Sequence, residues 1–361
     1  MKVHVVDPPA WTPPYDHALC SALAGAGLDV ELFTSPFRYC ELPTPVGYER
    51  HAFFYRLADR ARLARRAIRL AEHLPEMAAY DRVAAQADIV HFQWLTVPAL
   101  DAHLLPRGRP LVITAHDVLP RERVAGSASA QRRLLARFDA VIVHSQAGRE
   151  RLIREAAVDP ARVHVIPHGA FSHLAALPDG PLPPELAPSA LPVVLYFGLI
   201  RPYKGLDVLL DAWRGIEGAE LWVVGRPRFD IARLRASAPP SVRWVERFVS
   251  DAELAACFRR ADLVVLPYRE IDQSGVLATA LAFAKPLLVS DIGGFRDIAQ
   301  AGAARLVQPA NPQALQSALR DLLEDPAARR GLSDAAAALA TTTAAWATVA
   351  QQTSKLYASL S

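Results

Sequence analysis

Cysteine is scarce: three in 361 residues, Cys20, Cys40 and Cys257, with no Cys-x-x-Cys pair. An odd number of widely separated cysteines offers neither a disulfide framework nor a zinc site, and each reads as a small buried apolar residue. Long apolar runs are missing too. No stretch of about 18 uninterrupted apolar residues occurs, which argues against a membrane-spanning helix. The opening MKVHVVDPPAW is already strand-like and lacks the apolar centre of a signal peptide, so a soluble, cytoplasmic protein is expected. Excess charge of one sign is absent, since 40 basic and 37 acidic residues leave +3. That balance speaks against a chain built to coat nucleic acid. Neither half carries a Gly-x-Gly-x-x-Gly after its first strand, which disfavours a simple dinucleotide-dependent oxidoreductase.

What is present is apolar and periodic. Hydrophobic residues make up 52% of the chain, and its length suits about two domains. VHVV (3–6), VELF (30–33), IVHF (89–92), LVITAHD (111–117), AVIVHS (140–145) and VHVIPHG (163–169) alternate with helical patterns such as DHALCSALAGAG (16–27). Runs without clean alternation indicate strands buried on both faces, as in parallel sheets. The proline-rich LAALPDGPLPPELAPSALP (174–192) cannot supply a regular ladder and reads as a connector. The pattern then restarts with VVLYFG (193–198), LWVVG (221–225), VRWVER (242–247), LVVLPY (263–268) and LLVSD (287–291). The fold class is therefore α/β: two doubly wound, Rossmann-like domains, 1–180 and 190–340, facing a central cleft. The alanine-rich segment 333–359 predicts a helix with Leu339, Trp346, Val349 and Leu356 on its apolar side, and 341–361 is expected to pack back towards the N-terminal domain.

Ligands of open α/β sheets bind beyond the carboxyl ends of the strands. In FGLIRPYKGLDVLLDA (197–212) such an end is followed by Arg201 and Lys204 between Gly198 and Gly205. Arginine clamps two oxygens and lysine is a compact point charge, so the pair suits a phosphate or diphosphate; a solvated basic loop is the alternative. EIDQSGVLATALAFAKP (270–286) follows another strand and opens a helix near Ser274–Gly275, where unpaired N–H groups and a bare Cα would admit an anion. An ordinary serine cap is the alternative there. Two such loops in one half favour a shared diphosphate.

The ordered set FGLIRPYKGLDVLLDA, LWVVG, VRWVERFVSDAELAACFRRADLVVLPY and SGVLATALAFAKPLLVSDIGGFRDI resembles the donor domain of glycosyltransferase family 4, the retaining enzymes of GT-B architecture. DIVHFQWL (88–95), TAHDVLP (114–120), VIVHSQAGRERL (141–152) and VHVIPHGAF (163–171) extend the resemblance over the first half. It implies transfer of a hexosyl group from a nucleoside diphosphate sugar to a hydroxyl of a glycan, lipid-linked or small-molecule acceptor, with retention. The donor would sit on the second domain, the acceptor on the first, and cleft closure would assemble the site. Arg201 and Lys204 match the family's basic pair on the diphosphate. Gly198 and Val276 would belong to the same donor site, Ser274 and Gly275 would offer backbone donors to the phosphate beside the sugar, and Arg226 and Phe248 could lie near the base. Fixed positive groups would stabilise the departing diphosphate, so neither metal nor other cofactor is expected; Glu270-Ile271-Asp272 is the nearest thing to an Asp-x-Asp motif. His116 matches a histidine lining the cleft beside the reacting carbon, with His144 and His168 as further candidates.

The sequence also departs from that family. It usually has two glutamates eight positions apart, and counting back from Lys285–Pro286 places Thr279 at the second and Ile271 at the first. The second commonly holds the nucleotide ribose, which puts that contact in question; Glu270 or Asp272 could still reach the sugar hydroxyls. The first loop, DPPAWTPPYDHAL (7–19), has prolines and aromatics where many relatives have glycines, so Trp11 and Tyr15, with Trp94, are expected to line an acceptor pocket. RLADRARLARRAIRL (56–70) predicts a basic helix with Arg62, Arg66 and Arg69 on one face and Leu63, Ala67, Leu70 and Leu74 on another, suited to a peripheral membrane contact or a solvated face. The competing functions are a sugar-nucleotide epimerase, a glycan phosphorylase, and a sugar-nucleotide-binding protein that transfers nothing.

Overall fold

The computed structural model describes residues 1–37, 42–60, 65–117 and 127–361. Cys40, the centre of the basic stretch (61–64) and the end of TAHDVLP (118–120) lie outside the described residues. Two compact units result: Met1–Gly169 with Trp346–Ser361, and Ala170–Ala345.

The first unit holds β1 (Lys2–Asp7), β2 (Asp29–Thr34), β3 (Glu49–Ala52), β4 (Ile89–Phe92), β5 (Leu111–Thr114), β6 (Ala140–Val143) and β7 (Val163–Val165), ordered β3-β2-β1-β4-β5-β6-β7. All neighbours are parallel. The second holds β8 (Val193–Phe197), β9 (Glu220–Val224), β10 (Val242–Val245), β11 (Leu263–Leu266), β12 (Leu287–Ser290) and β13 (Ala304–Val307), again all parallel, ordered β10-β9-β8-β11-β12-β13. Both sheets have the doubly wound plan. The strand order reverses between β1 and β4 in one and between β8 and β11 in the other, and crevices form at such reversals.

The unbroken apolar runs have a direct cause. Val193 and Leu195 join one core of the second unit, with Trp222, Val224, Val264, Leu266, Leu287 and Val289. Val194 and Tyr196 join the core on the opposite face, with Leu221, Val223, Leu263, Val265 and Leu288. Successive side chains point to opposite faces, and helices cover both, so no polar alternation survives.

Two strands escaped the sequence reading. β3 is ERHA, an edge strand whose His51 bonds Glu31 at 2.8 Å and stacks on Phe33; charged edges of this kind prevent further pairing but hide the strand. β13 closes the other sheet on the far side of β12.

The alanine-rich tail is two helices, not one. Pro326–Thr341, capped by Asp325, belongs to the second unit, and Trp346–Leu360 belongs to the first. The break follows Thr342, whose φ of −119° and ψ of −95° leave the helical region. Leu339 thus packs on the second unit's core, while Val349 and Leu356 are buried in the first unit. The proline-rich segment also lies within the second unit, which the chain enters at Ala170. Ala170 N donates to Ala344 O at 2.8 Å, so entry and exit lie side by side.

Candidate active site

In the second unit the loops after β8 and β11 flank the strand reversal, and they meet. A Cβ built on Gly198 (φ +100°) would lie 3.0 Å from Lys204 Nζ and 3.1 Å from Val276 Cγ2. The lysine head and the first turn of the helix Gly275–Ala282 therefore converge on the end of β8. Gly205 (φ +66°) permits the turn after Lys204; a Cβ there would come within 2.0 Å of Pro267 O, in the loop after β11. Only glycine lets the two loops approach so closely.

Lys204 is only 8% exposed, with its Nζ 5.2 Å from the centre of the Tyr268 ring. Arg201 is half-buried, and its guanidinium has no hydrogen-bond or ion-pair partner among the described residues. The loop is braced from below. Arg269 donates to both Asp207 oxygens, at 2.9 and 2.5 Å, and to Pro202 O at 2.8 Å, while its N–H reaches Tyr203 O at 2.7 Å. A bidentate clamp of this kind fixes geometry as well as adding energy.

Ser274 caps the helix, its hydroxyl accepting from Leu277 N at 3.4 Å. Gly275 is bare without structural need: a Cβ there would meet only Phe171, at an ordinary 3.6 Å. Thr279 is buried and its hydroxyl donates to Gly275 O at 2.9 Å, within its own helix. Ile271 is in the core, Asp272 is buried and Glu270 is exposed. Arg226 and Phe248, at the ends of β9 and β10, form an exposed pair with the guanidinium 5.6 Å from the ring centre.

The first unit's strand ends carry a different chemistry. Three imidazoles gather there, His116 to His144 at 5.3 Å and His144 to His168 at 5.2 Å between ring centres. Tyr15 does not line an open pocket. It is 3% exposed, packed edge-on against His116 at 4.7 Å, His168 at 4.9 Å and Trp346 at 5.2 Å. Trp94 stacks on His116 at 5.1 Å, and Trp11, 55% exposed, meets Trp94 edge-on at 5.0 Å. Burial holds His116 well below the usual imidazole range, and His144, His168 and His91 add to the effect. Burial likewise lowers His144 to about 4 and His168 to about 3, so the cluster is uncharged at neutral pH.

Asp7 and Asp16 were missed by the sequence reading. Asp7 ends β1, and its carboxylate accepts from Trp11 N at 2.8 Å and Thr12 N at 3.3 Å. Asp16 accepts from the Thr12 hydroxyl at 3.4 Å, and that oxygen accepts in turn from Trp94 Nε1 at 3.0 Å. Both carboxyls are buried. Burial raises Asp7 to about 6 and Asp16 well above its ordinary range, the charge of Asp7 adding to the rise of Asp16. The only sequence signal was an aspartate at each end of a proline loop. The potential metal-ligand cluster among the described residues, Glu31, Glu49 and His51, lies on β2 and β3, where Lys2 already pairs with Glu31 at 2.5 Å.

The basic stretch is also rearranged. Arg69 is half-buried, its guanidinium 4.9 Å from the Tyr55 ring centre, while Arg62 and the Arg66 side chain lie outside the described residues. The exposed side carries Leu57, Leu70 and Leu74. Among the described residues no helix is long and apolar enough to cross a membrane.

Two doubly wound parallel sheets of seven and six strands, each with polar side chains gathered at its strand reversal, define a two-domain α/β protein of GT-B fold. Sucrose-phosphate synthase from Thermosynechococcus elongatus superposes with a TM-score of 0.76 at 21% identity, over 100% of this chain and 99% of that one. HepE of Anabaena, in complex with UDP, gives 0.75 at 19% identity, over all of both chains. Residues 15–170 match the family described as Glycosyltransferase Family 4, and 191–325 match Glycosyl transferases group 1. Together the matches take in most of the chain, and it belongs to the family 4 glycosyltransferases.

Similar curated proteins include a GDP-mannose:glycolipid 4-beta-D-mannosyltransferase of Xanthomonas campestris, 30% identical over 58% of this chain; the match spans 62% of that protein's length. A D-inositol 3-phosphate glycosyltransferase of Kineococcus radiotolerans is 28% identical over 73% of this chain and 68% of its own.

Proposed function

We propose that the protein transfers a hexosyl group from a nucleoside diphosphate sugar to an acceptor hydroxyl, with the donor on the second unit and the acceptor on the first. The convergence of Lys204 Nζ and the 275–282 helix start on Gly198 carries this reading. A buried cation, an arginine without a carboxylate partner and a helix N-terminus suit two adjacent phosphates. As the glycosidic bond breaks the diphosphate gains charge, and preorganised donors stabilise that charge without reorganising. Gly275, bare without structural need, leaves room for a phosphate oxygen. Arg226 and Phe248 offer a face to the base. Closure of the two units over the substrates is part of the proposal.

In the first unit Trp11 offers an exposed stacking face, and His116 lies behind Trp94 as a neutral hydrogen-bonding group. A lipid-linked acceptor fits the exposed Leu57, Leu70 and Leu74 among arginines, a combination that favours an anionic membrane surface. Failure of vesicles rich in anionic lipid to retain the protein at low salt would remove that element.

Retention is proposed on the family resemblance. The names of similar proteins include both a 4-beta- and an alpha-(1→4)-mannosyltransferase, so the anomeric signal of the first isolated product decides this point. The central test is a thermal-shift screen with nucleoside diphosphates and their sugars. A ligand at about a hundred times its Kd adds about 2.7 kcal/mol to stability. The reading expects that shift in the wild type and its loss in Arg201→Ala and Lys204→Ala. Equal shifts in wild type and both variants would defeat it.

A further inference from the structure

The hydrogen-bond chain through the first unit's strand ends has a definite direction. His144 Nδ1 lies 2.9 Å from Ile166 O, and a carbonyl only accepts, so the proton of His144 is on Nδ1. Neutral His144 then presents a lone pair at Nε2, 3.4 Å from His116 Nδ1, and His116 must hold its proton there. That leaves a lone pair on His116 Nε2, and its neighbour, at 3.0 Å, is the Gln93 side-chain amide.

With the amide oxygen towards His116, two acceptors would face each other. A half-turn of the amide offers N–H to His116 instead and places the oxygen near His91 Nε2, where the amide–imidazole separation is 3.3 Å. His91 then carries its proton on Nε2, which also reaches Thr114 Oγ1 at 2.7 Å. Its Nδ1 accepts from the Tyr357 hydroxyl at 2.6 Å. Each ring N–H in this chain meets an acceptor, and no ring is charged. The opposite amide orientation satisfies the chain only if the His116–His144 pair carries one more proton. Gln93, His91, Thr114 and His116 are all buried, where an unmatched polar atom is costly.

We infer that Gln93 and His144 are positioning residues that hold His116 as its neutral Nδ1–H tautomer, with Nε2 capped by the Gln93 amide N–H. The groups facing His116 are Tyr15 from the helix Pro13–Gly25, Trp94 and His91 from β4 and its loop, His144 beyond β6 and His168 beyond β7, with Asp117 next in sequence. None of the imidazoles supplies a counter-charge, so the tautomer is set by hydrogen bonds alone. For His116 to bind a proton at Nε2, Gln93 has to turn its oxygen to it. The tautomer stands on geometry; its consequence for turnover rests on the glycosyl-transfer reading.

The test uses the full chain with ¹⁵N-labelled histidine and two-bond proton–nitrogen correlation, which reports which ring nitrogen is protonated. The expected wild-type result at pH 7 is His116 protonated on Nδ1 alone. Gln93→Glu replaces an amide with a group that only accepts, and should raise the His116 pKa by about 1–3 units. His144→Phe removes the acceptor at Nδ1 and should move the proton to Nε2. A wild-type Nε2–H tautomer, or a folded Gln93→Glu protein with His116 titrating as before, would overturn the inference; the wild-type measurement needs no variant to fold. If Gln93→Glu moves the titration but leaves the pH profile of kcat/KM unchanged, the positioning stands and the role of His116 in transfer fails.

Discussion

The two units share a sheet plan and place their polar groups at the same topological point, yet they solve opposite electrostatic problems there. The second unit presents fixed charge: Arg201 and Lys204, with the start of a helix behind them. The first presents proton-carrying groups: His91, His116, His144 and His168, which burial keeps uncharged, beside Asp7 and Asp16, whose pKa values burial raises. Ten of the eleven histidines lie in the first unit, and the second has only His173. The proposed diphosphate donor is matched to the cationic edge, and the proposed hydroxyl acceptor to the proton-carrying one.

The sharpest way to break this contrast is to remove the fixed charge. Lys204→Ala or Arg201→Ala should lower kcat by about 10²–10³-fold, the usual cost of deleting one preorganised donor, with the thermal midpoint little changed. Near-normal turnover by both at saturating donor would end the assignment.

Acid should separate the units next. His4, His91, His116, His144 and His168 bind protons more weakly when folded, so their contribution is complete above pH of about 6.5 and is lost as pH falls towards 4 and 3. Asp7 and Asp16 act in the other sense, since their raised folded values favour folding in acid and lose that benefit as pH rises through about 6. The five histidines outweigh the pair. In the second unit hydrogen bonds from Arg247 lower Glu253 to about 2 and also lower Glu185, so that contribution fades only below pH of about 4.5. Protection against hydrogen exchange, taken relative to the intrinsic rate at each pH, should therefore fall between pH 7 and 5 in β4–β6 and hold in β8–β12. A uniform fall in protection would contradict the partition.

Gly205→Ala should act on the second unit alone. It forces a side chain into positive φ and against Pro267 O, and about 1–3 kcal/mol is expected from the backbone conformation, read from urea unfolding. The smallest effect concerns the nucleotide. Thr279 spends its hydroxyl on Gly275 O, so a 2′-deoxy nucleotide should bind within about tenfold of its ribose counterpart, or about 1.4 kcal/mol. A loss of several hundredfold by calorimetry would show that another residue grips the ribose.

The strands buried on both faces and the placement of the two loops after β8 and β11 were legible, because apolar runs and glycine-bounded basic loops are local signals. What escaped was set by partners distant in sequence. β3 is a strand because β2 lies beside it, not because ERHA favours one. Tyr15 follows an open-looking proline loop, but histidines from three strand ends enclose it. Gln93 sits unremarked in HFQWL, and its importance depends on the tautomers of His91 and His116, 2 residues before it and 23 after it. Arg69 is drawn inward by the ring of Tyr55. The tail divided because alanine favours helix everywhere and marks no boundary.

That division governs the order of events during synthesis. The first unit takes its closing helix from residues 346–361, which follow all of the second unit in sequence, and Tyr357 reaches back from there to His91 across 266 positions. The ribosome therefore finishes every strand and helix of Ala170–Ala345 while the earlier-made sheet still waits for its last piece. A stop codon just after the second unit would spare the part translated last and cripple the part translated first.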